Sequence, residues 1–266
     1  MGASSAWADA WFLAPAAALL FSVWALAPLG AQVLARGVVF IDLAVAQAAA
    51  AAALWAGALM DHPDWIATQL LAAFGALACA ALVAFLSRTW PAHREALIGL
   101  LYVLGASAAL LGARHDAHGR ERMTELLAAD ILWAQGPQVA VLGACALAVG
   151  LLGARLQRDR VFFPVFAVVA SLAVPVLGLF LVFATLIAPA LWQRAGAAPR
   201  WARLGAVAAS GLGLATSWAL DAPSGACIAL ALSAYGGLSV LKAAASSPAP
   251  APVPAQVPPR SSEGSI

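Results

Sequence analysis

The chain has 266 residues, of which 64% are hydrophobic and only 10% are charged, and its formal net charge is +2. A soluble domain is roughly 45–50% apolar and about 25% charged, so a water-soluble fold of this length could not bury so much apolar side chain. The mean hydropathy of +0.91 indicates lipid as the solvent, and the low net charge gives no sign of a nucleic-acid partner. These values predict an all-α, polytopic transmembrane helical bundle with about eight or nine helices.

Apolar runs of the length that crosses a bilayer, about 20 residues, follow one another along most of the chain. The predicted spans are Ala10–Leu29, Val38–Met60, Trp65–Leu86, Ala96–Gly112, Val139–Leu152, Val161–Trp192, Leu204–Leu220 and Ala226–Leu241. The run Val161–Trp192 is longer than one span requires and contains three prolines, so we divide it near Pro175–Gly178. This division gives nine segments, or eight if the divided pair counts as one.

The basic residues are distributed unequally between the two sides of such a bundle. With nine spans and an external N-terminus, eleven of the fourteen Lys and Arg residues lie in inside loops or in the C-terminal tail. Because Lys and Arg accumulate in cytosolic loops, this distribution predicts a multi-pass protein of the cell inner (cytoplasmic) membrane with a cytosolic C-terminus. The remaining three, Arg114, Arg120 and Arg122, lie in the one long external loop.

Two segments are predicted to lie outside the bilayer. Residues 1–245 form the transmembrane domain, whereas 246–266 are rich in Pro, Ala and Ser and are predicted to be a disordered cytosolic tail. In the external loop, apolar residues recur at helical spacing, which predicts a short amphipathic helix on the outer surface. Those residues are Met123, Leu126, Leu127, Ile131 and Leu132.

Asp42 is the first candidate functional residue, because it is a carboxylate inside an otherwise apolar span. A charge in a membrane helix costs at least about 2.5 kcal/mol on insertion scales, so such groups usually face a cavity or a partner. The alternative is that Asp42 lies near the cytosolic helix end and either reaches the headgroup layer or pairs with Arg36. Gln47 is a second pathway candidate, or else a hydrogen-bonding contact between helices. The run Ala44–Ala53 has almost no side-chain bulk, which suits close packing or a polar pathway.

No nucleotide-binding, protease or hydrolase motif is present, so we expect a non-enzymatic chain without a cofactor, driven by a gradient or a partner. The three cysteines lie in apolar runs without metal or redox spacing, and we interpret them as small hydrophobic residues. His115 and His118 could bind a metal, but their polar loop favours solvated side chains.

Five stretches, in this order, resemble the metal-ion ABC permease family, the membrane subunits of zinc and manganese transporters. They are Leu34–Gln47 (LARGVVFIDLAVAQ), Glu95–Gly99 (EALIG), Leu126–Ala134 (LLAADILWA), Gly178–Pro189 (GLFLVFATLIAP) and Asp221–Gly225 (DAPSG). The resemblance implies an ABC importer type II-like fold and a homodimer of permeases in the lipid bilayer. It also implies a cytosolic ABC ATPase subunit and a periplasmic or extracellular metal-binding protein as partners.

The resemblance also assigns roles to residues. It makes Asp42 a candidate metal-binding residue and places Asp130 and Asp221 on the periplasmic side. The short inside loop offers candidates for ATPase docking, namely Arg155, Arg158, Asp159 and Arg160. Two departures from the family pattern stand out. Ala46 occupies the position of the family's histidine, and only Ala154–Arg160 stands where the family has a longer coupling segment.

The first interpretation is therefore the permease subunit of an ABC transporter that moves zinc or manganese by alternating access. A gradient-driven secondary transporter is a second interpretation, although the sequence shows no convincing internal repeat. A membrane scaffold without a transport role is a third. A neighbouring gene for a P-loop ATPase would favour the first over the other two.

Overall fold

A computed structural model of the protein describes residues 13–60, 65–114, 127 and 129–246. This part of the chain is helical and contains no β-strand. Its nine long helices are α1 (Leu13–Arg36), α2 (Ile41–Leu59), α3 (Trp65–Thr89), α4 (Arg94–Ala113), α5 (Gly136–Leu152), α6 (Asp159–Leu177), α7 (Leu179–Arg194), α8 (Pro199–Leu220) and α9 (Ser224–Ser246). Short 3-10 turns occupy Pro91–His93, Ile131–Trp133 and Gly153–Gln157. The prediction of nine helical segments is confirmed.

Six of these described helices, α1, α3, α4, α5, α6 and α9, are long and apolar enough to cross a membrane. Helices α2 and α7 are apolar but shorter. The predicted end of the first span at Leu29 is wrong, because α1 continues through Pro28 to Arg36. The predicted loop helix does not continue through Asp130, which is extended and is followed by the 3-10 turn. Residues 115–126 and 128 of that loop and the tail beyond Ser246 lie outside the described residues.

The long run Val161–Trp192 is broken where the sequence predicts it. Gly178 has a φ of +76°, in the left-handed region that favours glycine, and it ends α6 and precedes α7. Pro164 and Pro175 lie inside α6, so the glycine and not a proline makes the break. Because the chain reverses there, α6 and α7 are two separate helices.

Contacts at the helix ends define two ends of the bundle. One end, termed the basic end, brings together Arg36, Arg88 and Asp159. The other, termed the opposite end, brings Ala129 and Gly225 together near Leu177. Between the two ends, α1 and α6 bury 56% and 61% of their apolar stretches, whereas α3, α4 and α5 bury 28% or less. Helices α1 and α6 therefore form the interior, and α3, α4 and α5 present a broad apolar exterior, as expected in lipid.

Helix α2 packs closely against α3 and α4 through small residues. A Cβ added at Gly75 of α3 would lie 2.6 Å from the carbonyl oxygen of Ala48. One added at Gly105 of α4 would lie 3.1 Å from the Cβ of Gln47. The alanine run therefore allows close approach of the helices, one of the two arrangements that its composition suits.

We expect the Gly75→Ala substitution to destabilise the protein by about 1–3 kcal/mol, because a backbone atom of α2 blocks the added methyl group. The measurement is the thermal unfolding midpoint of the purified protein in detergent. The matched control is Gly150→Ala in α5, where nothing lies within 4 Å of an added Cβ. Equal midpoints for the two variants would contradict the close α2–α3 contact.

Candidate functional site

Asp42 lies in the first turn of α2, near the basic end, and its side chain is buried. Only 1% of the residue is exposed, and neither carboxylate oxygen has a hydrogen-bond partner among the described residues. The helix N-terminus favours a negative charge in the first turn, which offsets part of the cost of burial. An unpartnered buried carboxylate is nevertheless costly, so this position is the strongest candidate in the bundle for binding a cation.

The alternative that Asp42 pairs with Arg36 is wrong. The Nε of Arg36 lies 3.0 Å from Oδ1 of Asp159, and the same guanidinium donates to the backbone carbonyls of Leu156 and Gln157. Its only other side-chain hydrogen-bond partner is Gln32, one turn earlier in α1. The hydrogen bonds of the Arg36 side chain are thus made to groups other than Asp42.

The turn between α1 and α2 is held by the start of α4. Gly37 has a φ of +62° and lies against the guanidinium group of Arg94, so a side chain at this position would be both strained and blocked. The backbone N–H of Val39 donates to Oε1 of Glu95 at 3.3 Å. Two of the family-like stretches, LARGVVFID and EALIG, are therefore in contact and together position the first turn of α2.

Gln47 is also buried, with 5% exposed, and its Oε1 has no partner among the described residues. It does not share a face with Asp42, because five residues at 3.6 per turn place the two side chains well apart around the helix. Ala46, one turn beyond Asp42, does share that face and is itself buried. Asp42 and Gln47, the two pathway candidates, thus lie on the same helix but on different faces of it.

The described residues contain no cluster of three or more His, Cys, Asp or Glu side chains that could hold a metal ion. A groove of about 340 Å³ opens between the ends of α1 and α7. Its lining residues are Ala31, Leu34, Ala35, Ala190, Gln193 and Arg194. The arginine at its rim repels cations, which leaves Asp42 as the better candidate.

Asp130 and the start of α9 form a buried contact at the opposite end. The hydroxyl group of Ser224 donates to the Asp130 carboxylate and accepts the N–H of Ile131 at 3.0 Å. Oδ1 of Asp130 also accepts the N–H of Leu132, at 3.2 Å. This contact joins the family-like stretches LLAADILWA and DAPSG. Sequence reasoning missed Ser224, although its place in DAPSG was a usable signal.

Asp221 ends α8 in the left-handed conformation, with a φ of +49°, and its side chain is exposed. It makes no ion pair within the described residues. At the basic end, Arg155, Arg158 and Arg160 are likewise exposed around the turn Gly153–Gln157. Asp159, by contrast, is directed at Arg36 and Arg88.

No protein-family model matches this chain, and no curated protein matches it. Among solved structures, a chain of PsaBC from Streptococcus pneumoniae in complex with Fab has a similar fold, with a TM-score of 0.66 at 16% sequence identity. The match covers 86% of this chain and 90% of that chain. At this identity the likeness concerns the fold. Together with the nine helices, it confirms the predicted fold class of an all-α polytopic helical bundle.

We expect Ser224→Ala to lower the unfolding free energy by about 1–3 kcal/mol, because the Asp130 carboxylate and the N–H of Ile131 both lose a buried partner. Ser210→Ala is the matched control, since that buried hydroxyl bonds only the carbonyl of its own helix. Chemical unfolding in detergent measures both. A loss no greater than that of the control would show that the contact adds no stability.

Proposed function

We propose that this chain is the permease subunit of an ABC transporter that moves a divalent metal ion, zinc or manganese, across the cytoplasmic membrane. The observation that carries the proposal is the buried, unpartnered carboxylate of Asp42 within a membrane bundle. The five family-like stretches support it, since four of them meet in pairs at the two ends of the bundle. The fold shared with the PsaBC chain is a further support.

In this proposal Asp42 supplies negative charge to the transported ion as the ion loses water. A carboxylate oxygen binds Mn²⁺ well, whereas Zn²⁺ prefers imidazole or thiolate ligands. The residue one turn from Asp42 is Ala46, which offers no ligand atom. The donor chemistry at this position therefore favours manganese over zinc.

The energy for transport comes from partners. This chain carries no nucleotide-binding motif, so ATP hydrolysis belongs to a cytosolic ABC ATPase, one on each subunit of a permease homodimer. Arg155, Arg158 and Arg160 provide an exposed basic surface for that ATPase beside the turn Gly153–Gln157. The opposite end, with Asp130 and Asp221, faces an external metal-binding protein.

We expect Asp42→Asn to lower metal transport about ten-fold or more while assembly stays intact, because an amide keeps the shape but not the charge that a dehydrated cation requires. The measurement is uptake of Mn²⁺ and Zn²⁺ by proteoliposomes that contain the permease with its ATPase. The matched control is Thr185→Val, which removes a buried hydroxyl bonded only to its own helix.

Normal uptake by Asp42→Asn would show that transport does not require the negative charge of Asp42. Uptake that proceeds without the ATPase, driven by an ion gradient, would instead identify a secondary transporter. Absence of uptake of either ion by the unmodified complex would refute metal transport altogether.

We also expect the basic end to face the cytosol, because most Lys and Arg residues lie in its loops. In a background without Cys79, Cys145 and Cys227, an impermeant thiol reagent applied to intact cells should label Trp133→Cys, since this side chain is 81% exposed at the opposite end. It should not label Arg200→Cys. The reverse labelling pattern would invert the proposed topology.

A further inference from the structure

Asp159 connects three separate parts of the chain at the basic end. It is the first residue of α6, and only Arg158 separates it from the turn Gly153–Gln157. Its two carboxylate oxygens receive different cations, Nε of Arg36 at 3.0 Å and a terminal nitrogen of Arg88 at 3.3 Å. Arg36 ends α1 and Arg88 lies in the last turn of α3. We refer to Arg36, Arg88 and Asp159 as the Arg36 clamp.

The Arg36 half of the clamp also holds the turn itself. Its guanidinium donates to the carbonyls of Leu156 at 3.1 Å and Gln157 at 2.8 Å, and lies 4.2 Å from the ring centre of Phe162. Leu156 is 2% exposed, so the turn is anchored in the bundle as well as bonded to it. The Arg36 side chain is only 14% exposed, against 56% for Arg88, so the Arg36 bridge is the less screened of the two.

A short connection leads from the clamp to the candidate cation site. Residues 37–40 separate Arg36 from α2, and Asp42 is in the first turn of that helix. The connection is constrained, because Gly37 lies against Arg94 and Val39 donates to Glu95. A displacement of the turn Gly153–Gln157 therefore reaches Asp42 through Arg36 and four restrained residues.

We infer that Asp159 is a positioning residue that couples movement of the turn Gly153–Gln157, beside the proposed ATPase-docking surface, to α1, α3 and the first turn of α2. This inference rests on the proposed function. Asp159 acts through Arg36 and Arg88 and does not touch the transported ion. Its carboxylate faces Arg36 and Arg88, whereas the neighbouring Arg158 and Arg160 make no ion pair among the described residues and are exposed. The charge of Asp159 thus serves coupling within the permease, and docking is left to Arg155, Arg158 and Arg160.

The test is the number of Mn²⁺ ions transported per ATP hydrolysed by proteoliposomes of the full permease–ATPase complex. We expect Asp159→Asn to keep its copurified ATPase and its ATP hydrolysis but to lower this ratio about ten-fold, the size expected for loss of a coupling contact. Asp159→Glu, which retains the charge, should restore most of the ratio. Arg200→Gln, an exposed arginine outside the clamp, is the control and should leave the ratio unchanged.

The outcomes separate three explanations. A proportional fall of transport and hydrolysis, or an unchanged ratio, would show that the clamp only stabilises the fold and would overturn the inference. Loss of the copurified ATPase would make Asp159 a docking residue and would overturn it equally. If Asp159→Asn does not assemble, Arg88→Gln removes the exposed bridge alone and must still lower the ratio measurably. Failure of the unmodified complex to transport Mn²⁺ or Zn²⁺ refutes the proposed function itself, whatever the variants do.

Discussion

The pairing of Arg36 with Asp159 is the interaction on which the arrangement of the basic end depends. It joins residues 123 positions apart and fixes the end of α1 to the start of α6, the two most buried of the six helices that are long and apolar enough to cross a membrane. A guanidinium group suits this place because its fork of donors serves a carboxylate and two backbone carbonyls at once. Without a cation there, the carbonyls of Leu156 and Gln157 would lose their donor and Asp159 would lose its less exposed partner. Arg36 therefore neutralises the charge of Asp159, and the same guanidinium group holds the turn Gly153–Gln157.

Among the described residues, the opposite end is held together by hydrogen bonds to a hydroxyl group and not by ion pairs. There, a single hydroxyl group, that of Ser224, joins a carboxylate and a backbone amide, and no arginine takes part. One end of the bundle is thus held by partly exposed ion pairs and the other by a buried neutral donor. Between these two closures, the alanine-rich helix α2 carries the only unpartnered buried carboxylate among the described residues. The two ends of the described bundle are therefore chemically distinct.

Much of the fold could be predicted from the sequence, because apolar runs and their interruptions report local structure directly. The nine segments, the break at Gly178 and the burial of Asp42 all follow from residues within one helical length of each other. Contacts between distant residues do not follow in this way. A sequence shows that Asp159 is charged, but several arginines are equally available as partners, and only the packed helices select Arg36 and Arg88.

The same limit explains the errors at helix ends. Apolar periodicity predicted a helix through Ile131, but Asp130 is extended because its carboxylate is drawn to Ser224, 94 residues away. The apolar run predicted an end of the first span at Leu29, yet α1 continues to Arg36, where contacts with the turn Gly153–Gln157 hold the helix end. In both places a long-range polar contact decides the local conformation. Neither contact can be recognised from the spacing of apolar residues in the sequence.

The alanine-rich surface of α2 has a consequence for how the molecule changes shape. Alanine and glycine have no rotamers, so the contacts of Ala48 with Gly75 and of Gln47 with Gly105 cannot adjust by repacking side chains. Interfaces of this kind yield only by sliding or separating as units. A rearrangement of the bundle would therefore move α2, α3 and α4 as one unit. The contacts of α1, α6 and α7 instead include larger Leu, Phe and Val side chains, which have alternative rotamers available.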